Sequence, residues 1–129
     1  TQPELEHMHS LKTGALLQAC VMMGAACGDV PSRSLPHLAD YGRWLGLAFQ
    51  VVDDVLDVTA DSATLGKTAG KDEAADKPTY VALMGLEAAK AYADALAQQA
   101  MQALADTGLP EARLAALRAL TAMVVERNN

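Results

Sequence analysis

Aromatic side chains are scarce in this 129-residue chain, at 4% of the sequence, whereas hydrophobic residues account for 51% of it. The core must therefore come from aliphatic side chains, and the many Ala and Leu residues, which are good helix formers, predict helices throughout. Basic residues are outnumbered by acidic ones, 10 to 16, and the formal net charge is −6. Because nucleic-acid binding depends on clustered Lys and Arg, this balance argues against a nucleic-acid partner.

Cysteine is also scarce, since the chain has only Cys20 and Cys27. Two cysteines seven residues apart in an apolar helical stretch offer neither a disulfide framework nor a zinc-binding spacing, so buried free thiols are predicted. No uncharged apolar run reaches the roughly 18 residues typical of a membrane span, and no signal segment is recognisable. The sequence therefore predicts a soluble cytoplasmic protein with no membrane span.

Apolar residues recur at three- and four-residue steps in several stretches, which predicts amphipathic helices. The first helix is predicted from about Glu4 to Ala26. Ser34 is the predicted N-cap of a second helix that ends near Val58. A third helical region is predicted from Pro78 to about 106 with a kink near Gly85, and a last helix is predicted over 111–127.

The segment 59–77 has no apolar period and is predicted to be a loop, which is long enough to suggest a function. Lys67, Lys71 and Lys77 could fold over a diphosphate that a metal ion bridges. The loop is not a nucleotide-binding P-loop, because Asp61 stands where that motif requires glycine. A solvated loop without a ligand is the alternative.

Three aspartates interrupt the most apolar part of the second predicted helix. Asp53, Asp54 and Asp57 form a DDxxD pattern, in which the first and third lie one helical turn apart on the same face. Like charges at this spacing repel one another and lose hydration when partly buried, so they need a compensating cation. Magnesium fits this need, since it prefers oxygen ligands and joins carboxylates to substrate phosphates. The alternative is a solvated acidic edge of the helix.

Further polar residues could serve the same cavity. Gln50 stands one turn before the aspartates, and its amide dipole can orient toward positive charge. On the first helix, Lys12 could neutralise a phosphate oxygen, and Thr13 could direct its hydroxyl oxygen at a developing cation. Taken alone, Gln50 could instead be a hydrogen-bonding core residue and Lys12 a lysine at a helix edge. His9 is predicted to be structural.

Four segments together resemble the bacterial farnesyl/geranylgeranyl diphosphate synthase family of trans-polyprenyl diphosphate synthases. They are HSLKTG at 9–14, GLAFQVVDDVLDV at 46–58, LGKTAGKD at 65–72 and KPTYVALMGLE at 77–87. The resemblance implies an all-α fold, specifically a partial isoprenoid-synthase helical bundle. Residues 1–129 are then expected to be the C-terminal part of a single polyprenyl-synthase domain whose upstream half is absent.

The resemblance also implies roles for individual residues. Asp53, Asp54 and Asp57 would be the second aspartate-rich motif, which binds Mg²⁺ on the allylic diphosphate. Thr13 and Gln50 would be catalytic residues that stabilise the allylic cation. The implied substrate-binding residues are Lys12, Lys67, Lys77 and Arg127, the last of them near the isopentenyl diphosphate pocket.

The activity implied is a prenyltransferase reaction that joins an allylic diphosphate to isopentenyl diphosphate by magnesium-assisted ionisation, condensation and elimination. The family's first aspartate-rich motif and its upstream isopentenyl diphosphate site are missing here. We therefore expect the chain alone to be inactive and to need the N-terminal half as a partner, in an enzyme that is homodimeric when intact. A terpene cyclase of the same fold and a non-catalytic helical partner are the alternatives; the lysine-rich loop and the buried carboxylates, respectively, argue against them.

Overall fold

The structure, a computed structural model, describes residues 1–63 and 78–127, with side chains from 1 to 59 and from 78 to 127. Every regular element in this part of the chain is helical, which confirms the predicted all-α class. A π-helical turn (Ser10–Gly14) connects the first two α-helices, and a 3-10 turn (Ser32–Ser34) precedes the third. The α-helices described are α1 (Gln2–His9), α2 (Ala15–Cys27), α3 (Leu35–Ala63), α4 (Tyr80–Met84), α5 (Leu86–Asp106) and α6 (Glu111–Val125).

The predicted first helix is interrupted in its middle. Its start is fixed by a capping box, in which the Thr1 side chain accepts a hydrogen bond from the Glu4 backbone N–H. At Lys12 the backbone leaves the helical region, with φ −98° and ψ −106°, inside the π-helical turn. Periodicity predicted one helix because the apolar spacing continues through the break, whereas π turns have no periodic signal of their own and are frequent at functional sites.

Helix α3 is the central element, and it packs against both α2 and α5. It runs to Ala63, beyond the end predicted at Val58. Ser34 does stand just before α3, but its hydroxyl does not cap the helix and instead donates a hydrogen bond to the Thr107 carbonyl at 2.7 Å. This buried bond ties the start of α3 to the end of α5, which is why the side chain turns away from its own helix.

Alanine lines the face of α5 that packs on α3, which lets the two helix axes approach closely. Two buried clusters lie along this interface. One contains residues from the N-terminal part of α3, and the other contains residues further along the helix. The core is therefore made of thin aliphatic side chains on closely packed helices, as the composition predicts. The buried α5 residues are Ala89, Ala93, Leu96, Ala97, Ala100, Ala103 and Leu104.

The helical region after Pro78 is divided at Gly85, where a kink was predicted. Gly85 has φ +89° and ψ 160°, a conformation that L side chains rarely adopt, so the chain breaks there into α4 and α5. The last helix is tied to the centre of the bundle by a buried tyrosine. The Tyr41 hydroxyl lies 3.0 Å from both the Leu117 carbonyl and the Thr121 hydroxyl of α6.

The α1–α2 segment carries apolar side chains in contact with solvent, among them Leu11 (66% exposed), Leu16 (65%) and Met23 (67%). By length and composition the stretch Gln2–Cys27 could cross a membrane, and it is the one such stretch in residues 1–63 and 78–127. A core helix of a water-soluble protein meets the same criterion, so the finding does not by itself indicate a span.

The prediction that both cysteines are buried is wrong. Cys20 and Cys27 are free but exposed. Both belong to α2, where most side chains are exposed and Ala25 is the only buried residue. Helical spacing located the two thiols on α2, but only the packing of neighbouring helices determines which of its residues are covered.

Candidate functional site

The two predicted catalytic residues, which are far apart in sequence, meet in the structure. The Gln50 side-chain Nε2 donates a hydrogen bond to the Thr13 hydroxyl oxygen at 2.8 Å. The bond joins α3 to the π turn across a part-buried interface, and it fixes the rotation of the Gln50 amide. Gln50 thus contacts the residue with which it was predicted to act, and the same bond also suits the alternative of a hydrogen-bonding core residue.

A close helix crossing brings these side chains within reach of one another. Gly46 lies one turn before Gln50, and a Cβ atom added to Gly46 would stand only 2.5 Å from the Cα of Gly14. Gly14 is the last residue of the π turn and follows Thr13 directly. The two glycines therefore let the backbones touch, and this contact sets the distance that the Gln50–Thr13 hydrogen bond spans.

The first aspartate of the DDxxD pattern is paired with a cation from the end of the described chain. Asp53 Oδ1 lies 3.0 Å from Nη1 of Arg127, and the side chains are 45% and 29% exposed. The guanidinium is held by further contacts: Nη2 donates to the Phe49 carbonyl and Nε to the Val124 carbonyl, both at 3.2 Å. Its carbon also lies 4.3 Å from the centre of the Phe49 ring. Arg127 therefore reaches the aspartate motif directly, which sequence spacing alone did not reveal.

The second aspartate lies in a different environment. Asp54 is buried, and its Oδ2 accepts a hydrogen bond at 2.9 Å from the backbone N–H of Tyr80, the first residue of α4. A carboxylate at this position stabilises the positive end of the helix dipole. Asp57 is half-buried, one helical turn after Asp53. The three aspartates thus divide: Asp53 and Asp57 share a face, and one oxygen of Asp54 binds the start of α4.

The aspartates of the DDxxD pattern are the oxygen donors that this site offers to a magnesium ion. Among residues 1–63 and 78–127, no group of three or more His, Cys, Asp and Glu side chains is placed to hold a metal ion. Magnesium needs fewer protein ligands than that, because it usually keeps several waters and binds through one or two carboxylates plus substrate phosphates. Asp53 and Asp57 fit this pattern, since both are partly exposed oxygen donors.

The lysines predicted to bind diphosphate are only partly covered by the structure. Lys12 is exposed on the π turn, next to Thr13. Lys67, Lys71 and Lys77 lie outside the described residues. The structure therefore places Lys12 beside the Thr13–Gln50 pair, and the roles predicted for the loop lysines stay predictions.

An aromatic cluster, which the sequence did not reveal, joins the end of α1 to α4 and α5. The His9 and Tyr80 rings lie 5.3 Å apart between centroids, and Tyr80 is 5.8 Å from Tyr92. The Tyr92 hydroxyl donates a 2.5 Å hydrogen bond to the Glu6 carboxylate. Burial lowers the pKa of His9, with a smaller contribution from the charge of Lys12, and burial raises the pKa of both tyrosines. The burial of His9 and its ring contact with Tyr80 support the structural role predicted for it.

An apolar cavity of about 370 Å³ lies between α2, α3 and α6. Its walls are mainly aliphatic, with Arg113 at one side, and they include none of the predicted site residues. The polar residues at the π turn and in the DDxxD pattern therefore form the candidate site.

Comparisons with known proteins agree on one family. The model of the polyprenyl synthetase family matches residues 1–116. Farnesyl diphosphate synthase of Escherichia coli strain K12 is 46% identical over 125 residues, which are 96% of this chain and 42% of that protein. Geranylgeranyl pyrophosphate synthase 10, mitochondrial, of Arabidopsis thaliana is 47% identical over 125 residues, which are 97% of this chain and 36% of that protein.

A solved structure shows the same fold. A crystal structure assigned to a farnesyl-diphosphate synthase of Marinomonas sp. MED121 superposes with a TM-score of 0.74 at 36% sequence identity. The match covers 96% of this chain and 40% of that one. The likeness confirms the predicted isoprenoid-synthase helical bundle, and the chain spans about two fifths of the length of these relatives.

Proposed function

This chain belongs to the polyprenyl synthetase family, and we propose that it forms part of a prenyltransferase that joins an allylic diphosphate to isopentenyl diphosphate. The observation that carries the proposal is the 2.8 Å hydrogen bond between Gln50 and Thr13, which unites two motifs 37 residues apart. The bond places an amide and a hydroxyl, whose oxygens can stabilise positive charge, one helical turn before the aspartates.

The proposed reaction begins when the allylic carbon–oxygen bond breaks and the diphosphate departs with the electron pair. Lys12, with Lys67 and Lys77 from the loop, would neutralise the departing oxygens. The Gln50 amide, its rotation fixed by Thr13, would present its carbonyl oxygen to the allylic cation. The double bond of isopentenyl diphosphate then attacks the cation to form a carbon–carbon bond, and a proton lost to the released diphosphate completes the product.

Asp53 and Asp57 would hold magnesium in this proposal, with Asp54 at their side anchoring α4. The metal, when bound, supplies positive charge that stabilises the leaving diphosphate. Arg127 would contribute further positive charge near the isopentenyl diphosphate pocket. These assignments are supported by the family membership and by the position of Asp53 one turn after Gln50.

We propose further that residues 1–129 do not suffice for turnover. The relatives are more than twice as long as the matched segment, and apolar side chains of the α1–α2 segment face solvent, where an N-terminal half of the same enzyme would cover them. The expected working form is cytoplasmic and homodimeric. An assay of the isolated chain with dimethylallyl diphosphate, isopentenyl diphosphate and magnesium should show no turnover, and robust turnover would refute this part of the proposal.

The binding function can be tested without turnover. The chain should bind inorganic diphosphate when magnesium is present. Addition of a chelator, which removes the free magnesium, should abolish most of this binding. Asp53→Asn should weaken the magnesium-dependent binding at least about tenfold, because it removes a charge that attracts the cation. Asp106→Asn, at the exposed end of α5, is the matched control and should bind as the unchanged chain does. Equal binding by all three proteins would contradict the proposal and favour a non-catalytic helical partner.

A further inference from the structure

Arg127 is held against the aspartate motif by more contacts than a surface ion pair requires. Its three guanidinium nitrogens each have a partner, namely the Asp53 carboxylate and the carbonyls of Phe49 and Val124. The Phe49 ring covers one face of the guanidinium. Long side chains in exposed pairs lose conformational entropy when they pair, but here the other contacts already fix the arginine in place.

The position of the guanidinium matters because Asp53 is also a proposed magnesium ligand. A charge of +1 at 3.0 Å from Oδ1 lowers the negative potential that attracts a second cation to that carboxylate. If the arginine stays, it repels the metal; if it moves, its contacts with the carboxylate are lost. Either way, magnesium binding is weaker than it would be at the same site without the arginine.

The surroundings give the guanidinium room to move. Arg127 lines a cavity of about 310 Å³ between α3, α5 and the end of α6, together with Lys90 and Asp94. Asp94 offers a second carboxylate in the lining of this cavity. The guanidinium could therefore leave Asp53 by side-chain rotation, without unfolding of α6.

We propose that Arg127 is the internal counter-ion of Asp53 and that it competes with the divalent cation for this carboxylate. Arg127 is then a positioning residue, which holds Asp53 in place while the metal is away. The inference rests on the proposed function, because it takes Asp53 as a metal ligand. The inference adds to the role that the resemblance implies for Arg127, because the arginine would set the magnesium concentration at which the site fills.

The test is a titration with Mg²⁺ alone. Calorimetry measures the affinity, and nuclear magnetic resonance of the arginine Nε–Hε groups monitors the side chain during the titration. Arg127→Gln should bind Mg²⁺ about five- to tenfold more tightly than the unchanged chain, a coupling of the size that linked sites commonly show. Arg127→Lys retains the charge and should stay within about twofold. In the unchanged chain, the Arg127 signal should shift as Mg²⁺ binds.

Arg113→Gln is the matched control, because it removes the same charge from the other end of α6, where Arg113 Nη1 contacts the Asp29 carbonyl. It should leave Mg²⁺ affinity unchanged. If Asp53→Asn abolishes Mg²⁺ binding while Arg127→Gln leaves it unchanged or weakens it, the counter-ion inference is overturned and the proposed metal site stands. If no variant alters Mg²⁺ binding, both the metal site and the inference fail.

Discussion

The close contact between Gly46 and Gly14 at the candidate site can be tested by a substitution that adds a single methyl group, Gly46→Ala. A Cβ at Gly46 would lie 2.5 Å from the Gly14 Cα and 3.3 Å from its nitrogen. Carbon atoms pack best at about 3.5–4.0 Å, so Gly46→Ala requires α3 and the π turn to separate by about 1 Å. Both Gly14 atoms belong to the backbone, which cannot rotate away as a side chain would.

The expected cost follows from two opposing effects. Insertion of a methyl group into a packed interface costs about 1–3 kcal/mol, whereas Gly to Ala inside a helix gains about 0.5–1 kcal/mol. The net expectation is a loss of about 1–2 kcal/mol in the free energy of unfolding. Gly24→Ala is the matched control, because Gly24 lies within α2 and an added Cβ would meet nothing within 4 Å. That variant should gain the helical contribution alone.

Urea unfolding followed by circular dichroism and by the fluorescence of Trp44, the single tryptophan, measures both changes. The two substitutions should shift the midpoint in opposite directions with the same m-value. If Gly46→Ala is as stable as Gly24→Ala, the helices do not cross as closely as the structure shows, and the account of the crossing is wrong.

A double-mutant cycle connects this crossing to the site. Thr13→Val removes the hydroxyl that accepts from Gln50, and it should cost about 1 kcal/mol in the unchanged chain. In the Gly46→Ala background the hydrogen bond is already stretched, so the same substitution should cost much less. Additive effects would show that the glycine contact does not set the Gln50–Thr13 distance.

Two further predictions concern residues around the site. Burial lowers the pKa of His9 below its usual value of 6.5, so the unfolded chain binds this proton more readily; stability should be full above about pH 6.5 and decline as the pH falls toward the folded-state pKa. His9→Phe should flatten this decline when urea unfolding midpoints are measured between about pH 7.5 and about pH 5.5. If the midpoint of the variant falls with pH as steeply as that of the unchanged chain, other groups cause the decline. Cys20 and Cys27 are exposed, so both should react with a thiol reagent in the native chain as fast as in urea; slow native labelling would place them in a covered interface.

Much of the site was predictable from the sequence, because its parts are local. The spacing of Asp53 and Asp57 fixes their common face in any helix, and the four motifs identified the family. The break at Gly85 follows from the residue type, as does the all-helical class from the Ala- and Leu-rich composition. The π turn at Lys12 was not predictable, since the apolar period of a helix continues unchanged across it.

The contacts between distant residues belong to the tertiary structure. No spacing indicates that Arg127 reaches Asp53, that Asp54 binds the Tyr80 backbone, or that Cys20 faces solvent, because each depends on how separate helices are oriented. The sequence by itself determined the helices and the chemical groups they carry, through periodicity and residue type. Packing decided which of those groups meet: helix α3 must be crossed at Gly46 before Gln50 can reach Thr13, and that crossing depends on the shapes of two surfaces rather than on either one alone.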